Sequence, residues 1–558
     1  MDDKRTLLAF LVVAIIFLLM PHYYEWLNGP MPEPVQEQVE SMPAEREKSA
    51  SEPAPLAERT TELGLAPPGA PGPATILPEP MTETFVDITT PRQTLRLSSV
   101  GGALVSATLL RYADGVGDPV ELVPDGARGL LVEMRAETGG GDLDLSQVSF
   151  VPDRESLRLG EGDEGSVTLR ADLGQGRFVE KILRVSADSY GAELTLRCAG
   201  FDDRIVAFLH WRGGIALAER DREVDLQAMK VMTYLNESTE DLQLDGEESE
   251  RFEERGDVSW AAIRNKYFLV ALSPLEGGRY RVNLEGRPAN RPPQSEYDFA
   301  IGKRMERGVQ NWPLALYIGP LDIEELDVYG RDLEQAMDLG WSVIRPIAKV
   351  LLKVLTAAHQ VIPNYGWVIV LFGVVVKALV YPLTRKTYES TAKMQALQPK
   401  VAVLKEKYKN DKQRLGQAQM QLYRDEGVNP LSSCLPLLLQ MPIFFALYQV
   451  FSSTIELRQA PFILWIDDLS VPDEILIGGF GLHVLPLLMS IAMYFQSKMT
   501  MKDPNQVALV YVMPVVMVFI MWNFSSGLVL YWTVFNVLQV AQQIVTNRGT
   551  IAEPTPKV

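Results

Sequence analysis

Hydrophobic and polar positions change rhythm several times along this chain, and each rhythm predicts a different element. The first is a continuous apolar run, TLLAFLVVAIIFLLM, between a charged start, MDDKR, and an aromatic cluster, PHYYEWL. A signal peptide would close on a small-residue cleavage site, whereas proline and aromatic residues stand here, so residues 1–28 read as an uncleaved transmembrane anchor. Lys4 and Arg5 lie on its inner side, and Tyr23, Tyr24 and Trp26 form its outer aromatic belt. Residues 29–83 are rich in Pro, Glu, Ala and Ser, with too few large apolar groups to build a core, which predicts a linker.

Between 84 and 335 the period becomes two. Runs such as TLRLSSV, ALVSATLLRY, LLVEMRA, FVEKILRVS and RIVAFLHW alternate between Gly, Asp and Asn turns and predict one large antiparallel β-sandwich domain. It holds no phosphate loop, nucleophile elbow or metal-spaced cluster, and Glu247-Glu248 and Glu253-Glu254 read as solvated loop charges. The helical period returns in the segment 336–363. Arg345, Lys349 and Lys353 recur on one arc, with Trp341, Ile344, Ile347, Leu351, Val354 and Leu355 on the other, which predicts an amphipathic helix. It either lies on the bilayer or packs on the β domain, and the membrane segment that follows favours the bilayer surface.

Five long apolar segments then follow, at 366–384, 431–451, 482–498, 507–524 and 528–546, each near the length a membrane helix needs. Pro436, Pro442, Pro486 and Pro514 interrupt three of them, and Asn536, Gln539, Gln542 and Gln543 polarise the last, as in helices whose neighbours or a wet cavity satisfy polar groups. The polar stretch 385–427 carries ten Lys or Arg against five Asp or Glu, which marks it as cytoplasmic. Met394, Leu397, Val401, Leu404 and Tyr408, then Leu415, Ala418 and Leu422, keep helical spacing around a KNDKQ turn. This predicts an antiparallel hairpin, either a solvated spacer or a basic platform for a ribosome or nascent chain. Residues 452–480 become an outer loop and 549–558 a short inner tail, with both termini cytoplasmic and about six crossings.

Composition narrows the chemistry. The net charge of −18 resides almost wholly in the soluble region and excludes nucleic acid as a direct partner. Cys198 and Cys434 fall in different compartments, so no disulfide framework is available. His22, His210, His359 and His483 are scattered without ligand spacing, so no metal, cofactor or catalytic histidine is expected. What demands explanation is Lys377, set inside the apolar segment 366–384, where a charge costs roughly 2.5–3.5 kcal/mol. Gly373, Lys377, Tyr381, Thr384 and Tyr388 share one helical side, while Val370, Leu371, Val374, Val375 and Leu379 are apolar. Lys377 lies about 10 Å from the inner end of the helix, within reach of snorkelling. The small and polar neighbours instead favour a wet space lined by Lys377 with Gly373, Gln440, Thr533 and Asn536.

Several longer motifs carry a resemblance. YPLT at 381–384, KMQALQPK at 393–400, NPLSSCLPLLLQMPIFFALY at 429–448, ELRQAPFILWIDDLS at 456–470 and FSSGLVLYW at 524–532 are similar to the YidC membrane protein insertases, in their Gram-negative form. The resemblance implies a polytopic α-helical membrane bundle of five core helices, a large periplasmic β-supersandwich domain and a cytoplasmic helical hairpin. It also implies a location in the bacterial inner membrane and a hydrophilic groove open to cytoplasm and lipid. It implies no catalysis but insertion of nascent membrane proteins, alone or beside the Sec translocon. Ribosome–nascent chain complexes would be received at the hairpin, and the substrate helix would pass Met513, Val516, Leu530, Tyr531 and Trp532. The groove cation in this family is typically arginine. Lysine keeps the charge, loses the planar fork and can lose its proton in a dry site, which predicts weaker or more pH-sensitive handling of acidic tails. A transporter would need repeats among the spans, and none is evident. An intramembrane protease would need a Ser-His or Asp-Asp pair at membrane depth, also not evident. A β-domain enzyme with a mere anchor would not need five further spans.

Overall fold

A computed structural model describes residues 82–137, 142–201, 205–244, 248–288, 295–409, 411–428, 435–500 and 507–551. The predicted anchor at 1–28 and nearly all of the linker lie outside the described residues, as does Cys434.

Alternation in sequence becomes strands in the first half. Among the described residues, nineteen strands between Phe85 and Pro320 form one connected network. All pairings are antiparallel except Phe85–Thr89 with Ser156–Arg158. Strand Glu250–Arg264 belongs to both halves of the sandwich. Its first part pairs with Arg279–Pro288, and its last residues pair with Lys230–Leu235 and Phe268–Pro274. Every residue of Phe268–Pro274 is buried, and Trp211, Trp260 and Trp312 fill the core. Glu253 and Glu254 sit on that long strand rather than in a loop, although they are solvent-exposed as expected. Two short helices interrupt the β pattern, α1 (Arg222–Ala228) and α2 (Ile323–Tyr329), each capped by an aspartate, Asp221 or Asp322, that accepts from the first free N–H groups.

Lys181 is the exception to apolar filling. It stands on strand Arg177–Ser186 and is fully buried. Its ammonium donates to the carbonyls of Gly101 (2.6 Å), Gly102 (2.8 Å) and Leu130 (2.5 Å) and lies 4.7 Å from the Phe150 ring centre. Burial pushes its pKa down to about 7, while three acceptors for three N–H donors hold the proton in place.

The second half is helical. The amphipathic helix is α3 (Arg345–His359), followed by α4 (Tyr365–Ala396), α5 (Gln398–Lys407), α6 (Lys412–Asp425), α7 (Leu435–Ser453), α8 (Val484–Thr500), α9 (Val507–Met521) and α10 (Ser526–Ile551). The basic arc of α3 meets the acidic end of the β domain. Lys349 pairs with Glu334 (3.2 Å), Lys353 with Asp327 (3.4 Å), and Arg345 donates to Gln335. Val343, just before α3, and Val350 and Val354 on it stay exposed, whereas Ala348, Leu352 and Leu355 are buried. Helices α5 and α6 close on Leu397, Val401, Tyr423 and Val428, as the spacing of Leu397 and Val401 predicts. Among the described residues one segment, Tyr365–Pro382, is both long and apolar enough to cross a bilayer by itself, with a shorter apolar stretch at Val510–Met521. Among the described residues, helix length alone therefore does not carry the five crossings expected after residue 363.

A further contact between the two halves is buried. Arg458, in the connection after α7, is buried against Glu219 (2.6 Å) and the Ala218 carbonyl (3.2 Å), with the Tyr267 and Phe268 rings beside it. Gln459 adds bonds to the carbonyls of Ala113 (3.1 Å) and Asp114 (3.2 Å).

Candidate functional site

Helix α4 continues through Pro382, and its outward residues Leu371, Val374, Val375 and Leu379 are exposed and apolar. The opposite side packs on α10. Gly373 makes this approach possible: a Cβ there would meet Val534 Cγ1 at 3.3 Å. One turn further on, Lys377 is buried between the helices. Its ammonium donates to Gln539 Oε1 and lies 4.5 Å from the Phe535 ring centre. A lysine in an apolar helix thus finds an amide oxygen and an aromatic face in place of water.

The other predicted lining residues, apart from Gly373, lie on α7 and α10, both of which touch α4. Asn536 is buried, and its side-chain N–H donors have no partner among the described residues. Thr533 spends its hydroxyl on the Val529 carbonyl of its own helix, at 2.7 Å. Gln440 is half-buried on α7, which touches both α4 and α10. Gln543 is buried one turn beyond Gln539.

The residues implied as substrate-helix contacts divide in two. Tyr531 and Leu530 are buried, Tyr531 against Phe372 and Phe535. Trp532 is half-buried and meets Phe444 edge-on at 4.7 Å, while Met513 is half-buried and Val516 exposed on α9. Sequence reasoning did not single out Gln539 and Phe535 as the partners of Lys377. The signal was present in the Asn536, Gln539, Gln543 spacing, which runs along one side of α10. Among the described residues no group of three His, Cys, Asp or Glu is placed to hold a metal.

A large β-sandwich domain is thus joined to helices that are apolar outside and hold a cation–amide pair between them. Comparison with known proteins makes this specific. The YidC periplasmic domain profile matches residues 85–354, and that of the 60Kd inner membrane protein matches residues 357–553. Membrane protein insertase YidC of Chlorobium limicola is 31% identical over 582 residues, covering 100% of this chain and 96% of its own. The Pelobacter propionicus protein of the same name is 33% identical over 561 residues, covering 98% and 99%. A crystal structure of an active YidC insertase with its first transmembrane domain resolved covers 81% of this chain and 91% of its own, at 18% identity and TM-score 0.36. The chain belongs to the YidC family of membrane protein insertases, and an inner-membrane location follows from the family.

Proposed function

We propose that this chain inserts nascent membrane proteins through the polar site around Lys377. In this reading α4, α7, α8, α9 and α10 cross the inner membrane as one bundle, the β domain is periplasmic, and the α5–α6 hairpin and both termini are cytoplasmic. The exposed apolar residues of α4, together with Leu488, Ile491 and Phe495 on α8 and Val512, Val515 and Phe519 on α9, then face lipid. A hydrophilic tail enters from the cytoplasm, and Lys377 attracts its acidic groups. The depth of hydrocarbon to be crossed is thereby reduced. The apolar segment of the substrate leaves past Val516, Met513 and Trp532, driven by transfer into lipid, with the membrane potential adding to the drive on acidic tails. The hairpin receives ribosome–nascent chain complexes, and the Sec translocon supplies some clients.

The observation that carries this reading is the buried Lys377–Gln539 pair with, three residues before Gln539 on α10, the Asn536 amide nitrogen, which has no partner among the described residues. A merely structural lysine would need no second, unsatisfied polar group on the facing helix. The test is site-specific crosslinking from position 377 to stalled nascent membrane proteins. Adducts with substrate segments are expected, and adducts with lipid alone would return Lys377 to a snorkelling role.

A further inference from the structure

Between α7 and α8 the chain forms a small hairpin of its own. Ile475–Ile477 pairs with Phe480–Leu482, in register Ile477↔Phe480 and Ile475↔Leu482, and Gly478 (φ 61°) and Gly479 (φ 86°) make the turn. Positive φ at both central residues is the two-residue turn that glycine permits. From Ile475 to Leu482 every residue is apolar or glycine. Ile475, Ile477, Phe480 and Leu482 share one face, and Leu476 projects from the other. Leu476, Ile477 and Phe480 are 72%, 59% and 62% exposed. The two strands form a separate sheet, and such a sheet with no third strand is at best marginally stable in water.

The base of the hairpin, by contrast, is fixed. The Asp473 carboxylate accepts from Trp465 Nε1 (2.9 Å) and from the first two N–H groups of α8, Val484 (2.8 Å) and Leu485 (2.9 Å). His483 contacts the Asp473 carbonyl and stands edge-on to Trp522, just past the end of α9. The same loop holds Leu464 at φ 59°, a conformation that bulky residues avoid, with its side chain 82% exposed. Backbone strain and a rigid clamp therefore both serve to present apolar side chains where α8 begins, and the exposed Leu488, Ile491 and Phe495 of α8 continue the apolar surface from that point.

We propose that the hairpin 475–482 with Leu464 is embedded in the outer leaflet of the lipid bilayer, as a fixed interfacial anchor that sets the depth of α8 and α9. The occupant is lipid because the segment offers no charge or hydrogen-bonding side chain to a protein partner and is continuous with the surface of α8 that faces lipid; the inference rests on the membrane bundle proposed above. An apolar patch of this kind on a clamped base marks a membrane or protein contact, and the adjoining Trp465 and half-exposed Trp367 suit the headgroup region.

The test uses the full chain in lipid nanodiscs, with Cys198→Ala and Cys434→Ala, and single labelling sites Phe480→Cys, Ile491→Cys and Val116→Cys carrying an environment-sensitive fluorophore. Val116, 89% exposed on the β domain, is the aqueous reference. The expected result is that nitroxide lipid quenches the label at 480 several-fold more than the label at 116, and that aqueous iodide does the reverse. Iodide quenching at 480 equal to that at 116, with lipid quenching retained at 491, overturns the anchor and leaves the bundle standing. Protection at 480 from both quenchers overturns it in favour of a protein contact. Loss of lipid quenching at 491 as well overturns the bundle and the anchor together.

Discussion

Lys377 and Glu456 are both ionisable groups removed from water, and they are handled in opposite ways. Lys377 has Gln539 and Phe535, an amide oxygen and an aromatic face, as partners for its ammonium. Lys377→Ala should lower insertion of an acidic-tailed substrate about tenfold, the loss of one charge-assisted contact. Lys377→Arg should insert that substrate at least as well and with a flatter pH profile. Protease protection of the inserted tail is the measurement, and equal behaviour of Lys and Arg across roughly pH 6–9 would remove the lysine-specific effect. Glu456 has no hydrogen-bond partner on either carboxylate oxygen among the described residues. Burial, then the charges of Asp322 and Glu324 on α2 and its cap, raise its pKa to about 8, with Tyr112 and Tyr365 as the other titratable neighbours. A carboxyl whose folded pKa exceeds its unfolded value contributes stability that is complete below the unfolded value and lost as pH rises through the folded one. Between pH 4.5 and 8 stability should therefore fall with rising pH. Glu456→Gln should flatten that slope and raise Tm at pH 8, as read by thermal unfolding in detergent.

At the scale of elements, alternation and helical spacing located most of the molecule, and what escaped them was long-range. The run FVEKILRVS is plainly a strand, yet its pattern alone does not reveal that Lys181 shares the inward side with Val179, Leu183 and Val185. Its acceptors, Gly101, Gly102 and Leu130, lie 51 to 80 residues away along the chain. Helices α1 and α2 span only seven residues each, too short to print a helical period on a β background. Lys377 stands out in the sequence as a candidate because a charge interrupts an apolar run. Gln539 does not, because its neighbour Asn536 gives the same signal and only packing chooses between them. The clamp of α8 shows the same limit: Asp473 stands eleven residues before the helix N–H it caps. Asp473→Ala should cost about 0.5–2 kcal/mol, as other N-cap removals do. The loss should appear as faster hydrogen exchange confined to the first turn of α8 and the hairpin base, with α4 and α10 unchanged.

For the whole molecule the question is how the β domain is held to the helical region. The basic arc of α3 supplies one exposed ion pair, Lys353–Asp327, which contributes little in water, and one half-buried pair, Lys349–Glu334. Arg458 is different, since it is sealed by Glu219, a carbonyl and two aromatic rings. Removing one member of a buried pair strands the other, at about 3–5 kcal/mol, whereas replacing both with apolar groups of similar size is often neutral. Arg458→Ala should thus destabilise the junction more than the double substitution Arg458→Met with Glu219→Leu. A double-mutant cycle, followed by the proteolytic susceptibility of the 213–221 segment in the membrane-embedded protein, separates this from general unfolding. A coupling near zero would mean that the β domain is held by the other contacts, those of α3 and Gln459. A large coupling would make Arg458 the joint through which the β domain and the outer ends of α7 and α8 move as one body.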